Sequence, residues 1–556
     1  MAPSTRHSGV RRISGDRVDS TIGLRADTPG GGTLLFCFLH SGEAHAISGE
    51  LYSSLAHMND VFVFDSKVVE ILPYLPPYLP ELEKYKESHN CLAVDTGRLG
   101  GGDFLSVSIT GNPLHLYFVI KRLVLYWPAI NRALQVINDS RGNCKDMHTS
   151  CSYWSKWYEC QKNPAYMMIN CQLSCGLCGK PEIHEKIIAL RALGYKIVLP
   201  SANDLRGAAI ALARLQQVYR LPIADLAEGI VANVSTSVRL STYDCMRIAN
   251  ESNFETEYAS AWQWYSLAHA TTSDPDLKAL IKGIMYSVKR QHDGLHQPNH
   301  TKYFPQKLSE FEIQDPVDSN YAQLCRGFNF MSDKEKAKFR CYVSSRESPF
   351  LTLQPVKYEH LHDDPEMYLF HEVISPKEVV MIQDTARDKL YRSMVTSSDK
   401  PVELRVSHTA WLQNYTHPVL PNIAKRISAI TGLHVFEGSV ENMAGEHLQV
   451  LSYGIGGHYN FHYDPLLKIM PEEKWFEAGS KFENYPCGDR VATWMFYLSG
   501  VEAGGRTAFP QAGVSVAPVE GSAVFWYSIK KNGLLNDKSQ HGGCPVLLGH
   551  KWVANK

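Results

Sequence analysis

The sequence predicts a multidomain α+β chain: a helical N-terminal half, a small disulfide-rich domain within it, and a C-terminal domain of short strands forming a sandwich or double-stranded barrel. Three observations carry this. Apolar residues recur at helical spacing in residues 47–143 and again from Asp204 to about 290. Six of the 13 cysteines crowd into Cys144–Cys178, which suits an oxidising compartment. After Gly445 the chain breaks into short apolar runs punctuated by glycines.

The totals set bounds. At 556 residues the chain is long enough for about three or four domains. Hydrophobic residues at 44% and charged residues at 20% exclude bulk disorder. A net charge of -1 gives no basic field to hold nucleic acid or an anionic membrane. No apolar run is long enough for a membrane span.

In chain order, residues 1–46 read as a leader. The apolar run Thr33–Leu39 follows several arginines, and Ala44-His45-Ala46 has the small-x-small spacing of a signal-peptidase site. A cleaved signal peptide is favoured; an unstructured leader is the alternative. Helices are expected around Leu116–Leu125 and Ile130–Ile137. Another carries Ala208, Ile210, Ala211, Leu212, Leu215 and Val218. Residues 241–290 predict two or three more, with an aromatic stripe of Phe254, Tyr258, Trp262 and Tyr265 that on pattern alone favours helix–helix core. Residues 301–365 read as a linker in which Cys325 and Cys341 pair locally. Ser375-Pro376-Lys377-Glu378 is a capping box opening a helix to about Arg392. Strands are expected at Leu448–Tyr453, His458–His462, Val491–Leu498, Ser515–Ala517, Ala523–Tyr527, Pro545–Leu548 and Lys551–Val553.

The chemistry centres on His462-Tyr463-Asp464. On a strand, alternate residues face the same way, so His462 and Asp464 can present an imidazole and a carboxylate to one point. His541 offers a second imidazole. Two histidines and one carboxylate suit a non-haem Fe(II) site with open positions. With 23 histidines in the chain, the motif alone reads sooner as a solvated strand end than as a metal site. Lys551 follows His541 by ten residues, roughly 33 Å if straight. One shared site therefore needs a bend, which Gly542-Gly543 and Gly549 can supply. A buried Lys551 would pair with a cosubstrate carboxylate. Tyr453 and Thr507 could each donate a hydroxyl, or be core.

Several segments resemble collagen prolyl 4-hydroxylase α subunits in order and spacing. They are Tyr453-Gly454-Ile455-Gly456-Gly457-His458-Tyr459-Asn460-Phe461-His462-Tyr463-Asp464, Gly488–Trp494, Ala503–Pro510, Gly521–Tyr527 and Cys544–Asn555. Asp204–Tyr219, residues 241–270 and Arg405–Leu412 resemble it more weakly. The resemblance implies a double-stranded β-helix (jelly-roll) catalytic domain over 366–556 and a tetratricopeptide-like peptide-binding region over 241–300. It implies Fe(II) on His462, Asp464 and His541. The 2-oxoglutarate C5 carboxylate would lie on Lys551, beside Tyr453 and Thr507. It further implies ascorbate, a collagen-like X-Pro-Gly peptide, protein disulfide isomerase as β subunit and the endoplasmic reticulum lumen. Related lysyl hydroxylases hold the cosubstrate with arginine, so Lys551 favours prolyl chemistry. Tyr258, Trp262, Arg405, Trp411 and Trp526 would face the peptide.

Residues 144–178 run Cys144-x6-Cys151-x8-Cys160-x10-Cys171-x3-Cys175-x2-Cys178 and resemble an ShKT domain, inserted between helical regions at 47–143 and 179–240. That family implies Cys144–Cys178, Cys151–Cys171 and Cys160–Cys175 pairs. Zinc fits less well, since His148 is the cluster's lone histidine. Against the α-subunit pattern, the peptide-binding region is short. The counterpart of Cys544 pairs further downstream in that family, so Cys544 is expected to lack its partner and the strand of Lys551 to be poorly locked. A second reading is a secreted ShKT-bearing binding protein with an inactive barrel; the intact His462, Asp464, His541 and Lys551 argue against it. A third is a dioxygenase acting on prolines outside collagen.

Overall fold

The computed structural model describes residues 55–75, 80–98, 110–139, 144–178, 181–296, 319–346, 348–394, 405–437, 444–465 and 489–556. The expected leader over 1–46 lies outside them. Among the described residues, no helix is long and apolar enough to cross a membrane.

Four helices open the described chain: Leu55–Val69, Pro80–Arg98, Pro113–Leu125 and Trp127–Asp139. Pro113 starts its helix where a missing N–H costs nothing, and the Asn112 side chain accepts from the Leu114 amide at 3.0 Å. Arg122 on this helix pairs in the core with Asp65, which also accepts from the Tyr85 hydroxyl at 2.6 Å. One buried charge pair thus ties three helices together. Disulfides Cys144–Cys178, Cys151–Cys171 and Cys160–Cys175 staple the small domain.

The helix Ala202–Tyr219 opens with a Ser201/Asp204 capping box and is buried along most of its length. Three helices follow: Thr242–Phe254, Tyr258–Thr271 and Pro275–His296. The aromatic stripe is split between two of them, because Thr256 takes a left-handed turn (φ 64°). Trp262 and Tyr265 are core, and Phe254 is 69% exposed.

The strands, in chain order, are β1 Ile230–Val231, β2 Val234–Ser235, β3 Cys341–Ser344, β4 Val356–Asp363, β5 Glu366–His371, β6 Tyr391–Arg392, β7 His408–Leu412, β8 Leu448–Tyr453, β9 Tyr459–His462, β10 Ala492–Tyr497, β11 Ala503–Gly504, β12 Thr507–Phe509, β13 Val514–Val516, β14 Ala523–Tyr527, β15 His541–Gly543, β16 Val546–Leu548 and β17 Lys551–Asn555. A nine-stranded sheet runs β3-β4-β5-β14-β10-β17-β8-β7-β6, and a four-stranded sheet runs β13-β12-β15-β9. Along the central strands of the large sheet, alternate residues enter two different cores. Val450, Trp494, Phe496, Phe525 and Trp552 pack with the helices Pro376–Arg387 and Val419–Thr431. Leu451, Met495, Tyr497, Trp526 and Val553 share a core with Phe509, Val514 and Val516 of the small sheet. The site lies on this second face.

Several expectations are corrected. The boundary at Glu366 falls inside the β4–β5 hairpin, where Asp363 pairs with Glu366, and the sheet begins at Cys341. The alternating charged and histidine residues of β4 mark a half-exposed strand, not a linker. The capping-box helix ends at Arg387, and Tyr391–Arg392 is β6. Cys325 bonds to Cys544, not to Cys341. The helix Asn320–Cys325 buries Cys325 against Ala508 and Cys544, whereas Cys341 opens an edge strand and is a free, exposed thiol. Cys544 therefore has its partner. The strand of Lys551 is also firmly held, since β17 is hydrogen-bonded on both sides, by β10 and β8.

Candidate metal and cosubstrate site

β9 and β15 are neighbours in the small sheet, and His462 is the register partner of His541. Asp464 stands just past the end of β9 rather than on it. The Asp464 Oδ1 atom is 3.7 Å from His462 Nε2 and 3.8 Å from His541 Nε2. These gaps are too long for hydrogen bonds, while the three donor atoms lie within 4.8 Å of one another. The Nδ1 atoms are committed elsewhere: His462 Nδ1 bonds the Asn460 carbonyl at 2.9 Å and His541 Nδ1 the Ser539 carbonyl at 3.0 Å. That leaves both Nε2 lone pairs for the common point, the usual second bond of a ligating histidine. Side-chain exposure falls from His462 (21%) through Asp464 (14%) to His541 (8%), so access is from the His462 side.

Charge is tuned to match. Burial brings the His462 imidazole down from 6.5 to about 3, and His541 beside it pulls the same way, so the ring is a neutral ligand. Burial raises the Asp464 carboxyl, yet His541, His462, Arg490 and Thr493 outweigh it and hold the group below 3.8. Two imidazoles and one carboxylate, converging and too far apart to satisfy each other, fit an Fe(II) ion.

Lys551 enters from the large sheet. β15 and β16 run on in one direction against residues 503–509, with Ala508 opposite Gly542 and Ala503 opposite Leu548, and one reversal at Gly549, whose φ of 88° suits glycine, brings Lys551 back. Gly542 and Gly543 stay within β15. Lys551 is 3% exposed, and its Nζ is 3.5 Å from Thr507 Oγ1. It lies over the rings of Tyr453 and Tyr497, 5.5 and 5.7 Å from their centroids. Among the described residues no carboxylate pairs with it, and burial lowers its pKa from 10.5 to about 7. A buried ammonium without a counter-ion fits an anionic ligand such as the 2-oxoglutarate carboxylate.

Sequence reasoning passed over several residues at this site. Thr493 donates to Asp464 Oδ2 at 2.6 Å, and Arg490 donates to the Asp464 carbonyl at 3.1 Å. The Tyr497 hydroxyl donates to Thr507 Oγ1 at 2.8 Å. Tyr459 stacks on the His462 ring, with centroids 3.6 Å apart. Thr493 and Tyr497 share a strand face at even spacing, which was a usable signal.

Comparison with known proteins follows the same regions. Residues 448–556 match the 2OG-Fe(II) oxygenase superfamily, 181–233 the prolyl 4-hydroxylase alpha-subunit N-terminal region, and 143–178 the ShK domain-like family. Prolyl 4-hydroxylase subunit alpha-2 of Caenorhabditis elegans is 29% identical over 570 residues, covering 94% of this chain and 93% of that one. The human subunit alpha-1 is 31% identical, covering 64% and 74%. The bovine subunit alpha-3 is 32% identical, covering 67% and 77%. The chain belongs to the prolyl 4-hydroxylase α-subunit family.

The α-subunit N-terminal match contains the helix Ala202–Tyr219, and the oxygenase match begins at β8 and contains all four residues of the site. The residues expected to face a peptide are scattered. Arg405 bridges to Tyr459, its guanidinium 4.7 Å from that ring's centroid, beside the metal strand. Trp411 pairs with Gln449, at the far end of β8 from Tyr453. Trp526 is 1% exposed and packs on His541 with centroids 4.7 Å apart, so it backs that imidazole instead of facing solvent. Trp262 is core, and Tyr258 is half-buried.

Proposed function

We propose that this chain is the catalytic α subunit of a prolyl 4-hydroxylase, acting at C4 of proline in collagen-like X-Pro-Gly peptides. The observation that carries this reading is the uncompensated Lys551 ammonium in the same barrel as the converging His462, Asp464 and His541 donors. On this reading those three side chains hold Fe(II), and Lys551 with Thr507 and Tyr453 holds the C5 carboxylate of 2-oxoglutarate. When bound, the iron with 2-oxoglutarate and O2 supplies the oxidising chemistry, which yields succinate, CO2 and hydroxyproline.

The protein's own contribution is positioning. The Nδ1 hydrogen bonds select the tautomer that frees Nε2. Thr493 occupies Asp464 Oδ2, which leaves Oδ1 to the metal. Tyr497 orients the Thr507 hydroxyl. Buried aromatic walls from Phe509 and Trp526 against His541 keep water from the inner side of the site.

The finer assignments belong to the same reading. The catalytic domain is a double-stranded β-helix, and Arg405 and Tyr459 border its mouth. The helices from Thr242 to His296 form a tetratricopeptide-like platform for proline-rich peptide, with the half-buried Tyr258 as its contact. Ascorbate restores oxidised iron, protein disulfide isomerase is the β subunit, and the enzyme works in the endoplasmic reticulum lumen. Amino-acid analysis of a (Pro-Pro-Gly)n peptide after incubation with the full chain, Fe(II), 2-oxoglutarate and ascorbate tests this. The expected product is 4-hydroxyproline; an unmodified peptide from metal-loaded protein contradicts the assignment.

A further inference from the structure

The three residues that follow His541-Gly542 are each tied from outside the two sheets. The Tyr321 hydroxyl donates to the Gly543 carbonyl at 3.0 Å. Cys544 is bonded to Cys325. The Tyr219 hydroxyl donates to the Pro545 carbonyl. Tyr321 and Cys325 stand on the helix Asn320–Cys325, and Tyr219 closes the helix Ala202–Tyr219. Arg326 joins the two helices by donating to the Val218 carbonyl at 2.7 Å.

The same cluster touches both histidine strands. A Cβ on Gly542 would lie 3.2 Å from the Tyr321 ring. That ring also packs edge-on against Phe461, the residue before His462, with centroids 5.9 Å apart. Leu324, Cys325, Ala508 and Cys544 form a separate buried cluster, lined by Tyr219 and Tyr321. Gly542 and Gly543 have no side chains with which to anchor their own backbone, so the ends of β15 need holding from elsewhere.

We propose that Tyr219, Tyr321 and the Cys325–Cys544 bond are positioning residues for His541. They fix the β15 backbone, and through it the imidazole, so the metal site is preorganised only while the helical region is docked against the barrel. This rests on the reading of His462, Asp464 and His541 as metal ligands.

The test is Co(II) binding by the metal-free full chain, followed by calorimetric titration and visible absorption. The set compares wild type, Tyr321→Phe, Tyr219→Phe and the pair Cys325→Ala with Cys544→Ala. Tyr85→Phe, which loses a buried tyrosine hydroxyl bond elsewhere, is the control. The expected result is a Co(II) dissociation constant raised about tenfold in Tyr321→Phe and in the cysteine pair. The melting temperature of Tyr321→Phe should fall no more than that of Tyr85→Phe, whose Co(II) affinity stays at the wild-type level. If the cysteine pair does not fold, Tyr321→Phe and Tyr219→Phe decide alone. Wild-type affinity in both tyrosine variants overturns the proposal, and so does equal weakening in Tyr85→Phe. Failure of the metal reading has a separate signature: wild type would bind no Co(II) that His462→Ala abolishes.

Discussion

Lys551 faces Tyr453 across the β8–β17 strand pair, with its ammonium 5.5 Å from the centre of the tyrosine ring. Among the described residues its company is two aromatic faces and one hydroxyl at 3.5 Å, which compensates a buried ammonium poorly.

Replacing Lys551 with methionine removes that burden. Lys551→Met should stabilise the ligand-free protein by about 1–4 kcal/mol and abolish stabilisation by 2-oxoglutarate. Thermal unfolding with and without 2-oxoglutarate checks both halves. A variant that melts below wild type without ligand contradicts the account.

The same lysine sets a pH dependence. Its pKa in the ligand-free fold is about 7, and a bound carboxylate raises it. Binding therefore takes up a proton above pH 7, and 2-oxoglutarate affinity should fall by up to about tenfold per pH unit beyond it. In the unfolded chain the group keeps its proton up to 10.5, so its contribution to ligand-free stability rises with pH from about 7 to 10.5. Titration in buffers of different ionisation enthalpy measures the uptake; affinity independent of pH above 7 counts against a charged Lys551 contact.

Thr493→Val removes the donor to Asp464 Oδ2 and keeps the shape of the side chain. Metal affinity should fall about 10- to 100-fold with the fold intact. Co(II) titration reads this directly, and unchanged affinity would show that Asp464 needs no such support.

Gly456 marks the contact between the helix Ala202–Tyr219 and the loop before β9. A Cβ there would lie 2.6 Å from the Ala211 Cβ, and Arg214 donates to the Gly456 carbonyl at 3.2 Å. With φ at 68° as well, Gly456→Ala should cost about 2 kcal/mol or more. Ala211→Gly should recover part of the loss, which a double-mutant cycle of unfolding free energies can measure. Purely additive effects would mean that the two residues do not touch.

On one helix Trp262 is core and Tyr258 only half-buried. Trp262→Ala should destabilise by about 3–5 kcal/mol, whereas Tyr258→Ala should change stability by under about 1 kcal/mol and weaken peptide binding. Stability unchanged in Trp262→Ala would return that residue to the peptide groove.

Much of this was legible because local signals agreed. Ser375/Glu378 announces a helix start by capping chemistry that needs no tertiary context. The strands β8, β10 and β14 were readable as apolar runs, but being buried on both faces they conceal which side each residue takes. That is why Thr493 and Tyr497 were missed. β4 was hidden for the opposite reason, its solvent-facing charges reading as linker. Cys325 bonds a partner 219 residues away, and spacing cannot report a contact made by the docking of a helix onto a sheet. Trp262 and Trp526 carry the residue type of a peptide groove, while their burial depends on neighbours that no local pattern names.

The most direct measurement is peptide-dependent succinate release from 2-oxoglutarate, using the full chain co-expressed with protein disulfide isomerase and supplied with Fe(II), ascorbate and (Pro-Pro-Gly)n. Wild type should release succinate in step with hydroxyproline formed, and His462→Ala should lose at least about 100-fold of that rate. A folded, iron-loaded wild type that releases none, or a His462→Ala variant that keeps its rate, would contradict the assignment of this barrel as the hydroxylase centre.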